Sequence, residues 1–123
     1  MEKDFTSSDV DSEKDSEPAK SFEKKILVKV HNSYRWAVAI CDKELVGRIL
    51  TEGIMQLDLT TQFFRGTEMN DDEVREEIWR CSNEDANFNV VGENSIGLAL
   101  ELGLIEEDGI RKVQGIPFAL VLT

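Results

Sequence analysis

The sequence FNVVGENSIGLALELGLI, residues 88–105, predicts a short strand, a turn and a buried helix in succession. The helix would be apolar on all but one face, because its large apolar residues are Ile96, Leu98, Leu100 and Leu102. Asn94 or Ser95 is expected to cap its first turn. Gly103 fits the left-handed position that commonly follows a last helical turn.

A second helix is predicted upstream of this stretch. Asn70 precedes three acidic residues, Asp71–Glu73, which gives a cap residue, a glutamate three positions on and negative charge over the first turn. Val74 and Ile78 share one face of this helix. We expect the helix to fade near residues 82–85.

The remaining segments predict strands and turns. FEKKILVKVH (22–31) and WAVAIC (36–41) form a hairpin around a polar connection, and IMQLDLT (54–60) alternates as a third strand. Residues 42–53 are expected to form a helical turn and a loop. A last strand begins near Ile110 and breaks at Gly115–Pro117, as a bulge, an edge or a change of direction. The fold class is therefore α+β, a small mixed sheet of about five strands with two or three helices.

The chain divides near Phe22. Residues 1–22 carry a net charge of −4 and few apolar residues, so we expect a disordered acidic N-terminal arm. Residues 23–123 carry the remaining −7 of the total of −11 and form a single α+β domain. The arm is either a solubilising tail or a short motif around Phe5 that becomes ordered on a partner.

The composition favours a soluble, cytoplasmic protein. No apolar run approaches the roughly 20 residues that span a bilayer, and the N-terminus resembles neither a secretory signal nor a transit peptide, so no membrane association is expected. Cys41 and Cys81 are far apart and are expected to be reduced and partly buried. With His31 as the single histidine, no metal site and no cofactor are predicted.

The sequence holds no motif of nucleotide-binding loops, zinc proteases or serine hydrolases. Cys41 is the one nucleophile candidate, and a buried strand residue is the better interpretation of it. A small enzyme or ligand-binding protein that uses Asp42, Glu44 and Glu93 is an alternative function. Gly92 before a helix also resembles a phosphate cradle, but Glu93 would repel a phosphate, so a structural cap is favoured.

A non-enzymatic binding or adaptor module is the leading hypothesis. Its candidate surface comprises Tyr34, Arg35, Trp36, Asp42, Glu44, Gly92, Glu93, Asn94, Pro117 and Phe118. Aromatic and arginine side chains at a hairpin end have the composition of binding hot spots. We expect a protein partner, one that belongs to a translation or RNA-processing ribonucleoprotein assembly. The charge itself favours a basic partner, because acidic proteins attract basic proteins, including those that sit on RNA.

Weak direct RNA binding is the third hypothesis. Five basic residues fall in one stretch of the chain, namely Lys24, Lys25, Lys29, Arg35 and Lys43. Nucleic-acid binders usually carry a surplus of Lys and Arg, and this chain carries the opposite balance. The charge therefore favours the protein-binding hypothesis.

Five segments together resemble an archaeal family designated domain of unknown function 424. They are VKVH (28–31), VAICDKELVGR (38–48), TEG (51–53), NVVGENSIGLALELGLI (89–105) and GIPFALV (115–121). The resemblance extends from about residue 25 to the C-terminus and omits the acidic arm. It implies an archaeal cytosolic protein with a compact domain, and it brings no established activity. Members often carry a histidine after the proline of the last segment, where this chain has Phe118, which argues against a catalytic histidine there.

Overall fold

The computed structural model describes residues 23–32 and 35–122, so the predicted acidic arm lies outside the described residues. The strands and helices are β1 (Ile26–His31), β2 (Ala37–Asp42), β3 (Ile49–Glu52), β4 (Met55–Asp58), β5 (Thr67–Met69), α1 (Asp71–Ser82), β6 (Asn87–Val91), α2 (Glu93–Glu101), β7 (Arg111–Val113) and β8 (Ile116–Val121). Short 3-10 turns occupy Lys43–Leu45, Gln62–Phe64 and Glu107–Gly109.

The main sheet has six strands in the order β5-β1-β2-β6-β8-β7, and β3 and β4 form a separate two-stranded sheet. All neighbours in the main sheet are antiparallel except β2 and β6, which run parallel. The predicted α+β class with a mixed sheet is therefore confirmed. The parallel pair brings the carboxyl ends of β2 and β6 together, because Cys41 lies opposite Val91.

The two faces of the main sheet bury different sets of side chains. One face packs against α1 and α2, and its core includes Ile40, Ile78 and Phe88. The other face packs against the β3–β4 hairpin, and its core includes Cys41 and Leu50. Since side chains alternate along a strand, each central strand contributes to both cores.

The predicted N-terminus of α1 is confirmed in detail. The Asn70 side chain accepts a hydrogen bond from the Glu73 N–H at 2.9 Å, and the Glu73 carboxylate accepts one from the Asn70 N–H at 2.9 Å. This reciprocal pair satisfies two donors that a helix start leaves open. The helix ends at Ser82, where the sequence predicts it to fade. Gly103 has φ +74° after α2, as predicted.

Two strands, β3 and β5, were not predicted from the sequence, and β7 was predicted as the beginning of a longer last strand. The expected loop at 42–53 contains β3, of which only Leu50 is buried, so the residues show no alternating apolar face. The expected connection before α1 contains β5, and its three residues are mostly exposed. The break in the last predicted strand is a change of direction, because Gln114 (φ +53°) and Gly115 (φ +78°) form a tight turn between β7 and β8.

Neither α-helix in the described part of the chain has the length and apolar composition that a membrane span requires.

Candidate functional site

The candidate site lies where β2 and β6 end beside each other. Asp42 is the last residue of β2, and α2 begins at Glu93, two residues after β6 ends. Asp42 is a charged residue within the protein interior, with 2% of its surface exposed. Its carboxylate lies on the helix-bearing face of the sheet, directed at the first turn of α2.

The Asp42 carboxylate accepts four hydrogen bonds from two consecutive residues of α2. Oδ1 accepts from the Ser95 N–H at 2.9 Å and from the Ser95 hydroxyl at 2.7 Å. Oδ2 accepts from the Asn94 N–H at 3.1 Å and from the Asn94 side-chain amide at 3.3 Å. The prediction that Asn94 or Ser95 caps α2 with its own side chain is therefore wrong, because a residue from a distant strand supplies the cap.

Gly92 makes this contact sterically feasible. It has φ +107°, and a Cβ at this position would lie 2.3 Å from Asp42 Cγ. Its N–H donates to the Pro117 carbonyl at 2.8 Å, which joins β8 to the same junction. Asp42 takes up the N–H groups that an anion would need, so this turn is a structural cap.

Two open hollows flank the buried carboxylate. The larger hollow, of about 550 Å³, lies between the start of β1 and the Lys43–Leu45 turn. The smaller, of about 280 Å³, is lined by Asp42, Glu44, Leu45, Arg48, Glu93, Asn94 and Ile116. Asp42, Glu44 and Asn94 line both hollows and therefore lie at the boundary between them.

Most of the predicted site residues meet at this end of the sheet. Asp42, Glu44, Glu93 and Asn94 line the hollows, and Gly92 and Pro117 form the buried junction beneath them. Phe118 also lies here, half-buried, with its ring packed against the core on the β3–β4 side. It therefore contributes to the core of the domain and not to the lining of either hollow.

The aromatic part of the predicted surface lies elsewhere. Trp36 precedes the first residue of β2, so at about 3.3 Å per residue it is about 20 Å from Asp42. Its half-buried ring packs against the helix-side core, with the Arg80 guanidinium 6.0 Å from the ring centroid. Arg35 is exposed at the same hairpin end, and Tyr34 lies outside the described residues. The structure therefore divides the predicted surface between two ends of the sheet.

The candidate nucleophile does not have the surroundings of a reactive thiol. Cys41 is fully buried, and burial, followed by the charge of Asp42, raises the pKa of its thiol to about 12. Reactive cysteines need a lowered pKa and solvent access. Within residues 23–32 and 35–122, no three His, Cys, Asp or Glu side chains are grouped so that they could hold a metal ion.

Two of the five basic residues of the third hypothesis form close ion pairs within the domain. Lys24 pairs with Glu73 at 2.9 Å, and Lys43 pairs with Glu68 at 3.2 Å. Lys29 donates to the Gln62 carbonyl at 3.3 Å. Lys24 and Lys43 thus have acidic partners beside them, whereas Lys29 keeps a charge that no acid offsets in this contact.

The site also contains Leu45, Arg48 and Ile116, which lie in predicted surface segments but were not named individually, and Ser95, which was predicted only as a helix cap. Arg48 and Ile116 line the smaller hollow, and Ser95 is fully buried against Asp42. A serine in the first turn of a helix indicates a helix start, but the sequence does not show that its partner is the acid at the end of β2. Arg48 and Ile116 reach the site through contacts between segments that are far apart in the sequence, which the pattern of neighbouring residues does not show.

The fold and the sequence can be compared with known proteins. The crystal structure of an uncharacterized conserved protein from Methanopyrus kandleri is similar in fold, with a TM-score of 0.70 and 23% sequence identity. The match covers 80% of this chain and 93% of that one. No curated protein matches the sequence. The family described as "Protein of unknown function (DUF424)" matches residues 30–123, and the chain belongs to that family.

Proposed function

We propose that the domain is a non-enzymatic binding module that recognises a protein through its carboxyl-end surface. This surface consists of Glu44, Arg48, Glu93, Asn94 and Ile116, which surround the capped start of α2. The observation that carries the proposal is that the charged side chains of this surface are unpaired in the part of the chain that the structure describes. Within the described residues, the side chains of Glu44, Arg48 and Glu93 make no ion pair or hydrogen bond to another side chain.

Several charges elsewhere on the domain form ion pairs within it. Arg75 bonds both Glu101 and Asp72, and Arg80 pairs with Glu77. The carboxyl-end surface instead presents both signs of charge around a half-buried isoleucine, on a rigid junction of two strands and a helix. Arrangements of this kind give protein interfaces their specificity and orientation.

The partner that we propose is a basic protein of a translation or RNA-processing assembly. Support for this class comes from charge, because residues 23–123 carry a net charge of −7. Such a body attracts basic proteins, among them those that sit on RNA, and repels phosphate.

The test is affinity capture from native lysate, with and without ribonuclease. The wild type is compared with a double variant, Arg48→Glu with Glu93→Lys, which reverses two exposed charges. Glu84→Lys, an exposed acid beyond the end of α1, is the control. We expect defined proteins that survive ribonuclease, persist with the control and are lost with the double variant. Captures that are empty, or that the double variant leaves unchanged, would refute the proposal.

A small ligand in the smaller hollow is the second candidate function. The observation that favours it is that Asp42, Glu44 and Glu93, the three acids of the alternative hypothesis, line one concave region together with Arg48. The four hydrogen bonds of Asp42 commit that carboxylate to α2, which leaves Glu44 and Glu93 for a ligand. A thermal-shift screen of cationic metabolites, repeated on Glu93→Gln, tests this candidate: a stabilisation that the variant abolishes would support it.

A further inference from the structure

The last strand of the sheet extends beyond its outer neighbour. β7 pairs with β8 only from Ile116 to Phe118, whereas β8 continues to Val121. β7 is the outermost strand on this side. From Ala119 onward, β8 therefore has β6 on one side and, within the described residues, no strand on the other.

The turn geometry shows which backbone groups face this open edge. In a two-residue hairpin the residues that flank the turn, here Val113 and Ile116, exchange both hydrogen bonds, and the pattern repeats at every second residue. Phe118 is the next such residue and still lies opposite Arg111. Leu120 follows in the same phase and, within the described residues, pairs with no strand on that side, so its N–H and C=O point away from β6.

The side chains along this edge are apolar and exposed. Leu120 is 57% exposed and Leu122 is 70% exposed, on the face of β8 opposite the helices. Folded proteins usually protect such an edge, because it can pair with another chain. The opposite edge is protected: beyond the β5 pairing, the Lys29 and His31 side chains contact the carbonyl oxygens of Gln62 and Phe63.

The charge beside the open edge indicates what could cover it. Glu106, Glu107 and Asp108 lie three to five residues before β7 and are exposed, with no ion pair in the described part of the chain. The exposed Arg111 and Lys112 follow on β7 itself, so acids outnumber bases here by three to two. A strand added to β8 would lie in line with β7 and end near these acids. Its apolar side chains would lie beside Leu120, and basic residues at its end would meet the acidic turn.

We infer that this open edge binds an extended segment of a partner protein, with alternating apolar residues and flanking lysines or arginines. The mode is strand addition, in which backbone hydrogen bonds supply affinity and alternate side chains supply specificity. A second copy is disfavoured as the occupant, because it would bring together two chains that each carry a net charge of −11. The short edge is suited to weak, transient binding, on the order of 10–100 µM.

This inference concerns the last residues of β8, whereas Ile116 of the carboxyl-end surface is its first residue. The two binding proposals are therefore independent of each other. The probe is a fluorescein-labelled synthetic peptide of alternating valine and threonine with a lysine pair at each end. A matched peptide carries glutamate pairs instead. Binding is followed by fluorescence anisotropy, and amide hydrogen exchange reports whether the Leu120 N–H becomes protected.

We expect the lysine-flanked peptide to bind at least tenfold more tightly than the glutamate-flanked one, and to slow exchange of the Leu120 amide. Leu120→Lys should weaken binding at least tenfold, while Leu102→Lys, at an exposed leucine after α2, should leave it unchanged. Reversal of Glu106, Glu107 and Asp108 to lysine should invert the preference between the two peptides.

Leu122→Lys serves as a second edge variant, and thermal melting establishes that each variant is folded. The inference is overturned if the lysine-flanked peptide does not bind, or if folded edge variants bind it as well as the wild type. It is also overturned if the Leu120 amide becomes protected with rising protein concentration alone and sedimentation shows a dimer, since a second copy would then occupy the edge.

Discussion

Asp42 and Gly92 lie so close together that a Cβ on residue 92 would lie 2.3 Å from Asp42 Cγ, closer than non-bonded atoms approach. The acid that ends β2 thus occupies the space that a side chain after β6 would need. Its carboxylate accepts hydrogen bonds from two backbone N–H groups at the start of α2, which have no partner within the helix. The contact joins two parallel strands and a helix, and it fixes the carboxyl-end surface.

We predict that Asp42→Ala lowers the free energy of unfolding by about 2–4 kcal/mol, because it removes a cap and leaves buried donors unsatisfied. Urea unfolding followed by circular dichroism measures the change. Glu44→Ala, two residues along and exposed, is the matched control and should change stability by less than about 0.5 kcal/mol. Equal effects of the two variants would mean that Asp42 does not hold α2.

Two glycines of the same segment should respond to alanine in opposite ways. Gly92→Ala introduces both the clash with Asp42 and a strained φ of +107°, so we expect a loss of about 2–4 kcal/mol. Gly97 lies within α2, and a Cβ there meets nothing within 4 Å. Gly97→Ala should therefore stabilise the domain by about 0.5–1 kcal/mol. Thermal melts of both variants test the pair, and a neutral Gly92→Ala would contradict the described junction.

Cys41 should be inert in the folded protein and reactive in the unfolded one. Burial raises the pKa of its thiol to about 12, and burial also raises the pKa of the Cys81 thiol. At pH 8, iodoacetamide should modify neither cysteine until urea is added, as read by mass spectrometry. Rapid modification of native Cys41 would reopen the question of a nucleophile at this site.

The same pKa shift predicts a loss of stability at high pH. The unfolded thiol ionises near pH 9 and the folded Cys41 thiol near pH 12, so the unfolded state releases its proton first. The stabilisation is complete below about pH 9 and declines as pH rises towards 12. Cys41→Ala should show a shallower decline than the wild type in urea unfolding across this range.

The parts of the fold that depend on neighbouring residues could be predicted from the sequence. The α1 capping box depends only on residues 70–73 of the sequence, and both of its hydrogen bonds are present. Gly103 was likewise predictable from its place after an apolar helix. Short strands such as β5 were not, because their residues are exposed and only pairing with β1 makes them strands.

The candidate site was predicted in its residues and not in its arrangement. Asp42, Glu44 and Glu93 were named as one candidate set without a structural reason for their proximity, and the parallel pairing of β2 and β6 is what brings them together. That pairing joins residues about fifty positions apart, and no local pattern encodes it. Trp36 was included for the hot-spot composition of the hairpin end, and the length of β2 separates it from Asp42.

The central claim is that the carboxyl-end surface contacts a protein. Its most direct test is photo-crosslinking in the native organism or lysate, with benzoylphenylalanine placed at position 44 or 93 and, as the control, at position 84. We predict a discrete protein adduct from positions 44 and 93 that survives ribonuclease, and none from position 84. No adduct from positions 44 and 93, or the same adducts from all three positions, would contradict the claim.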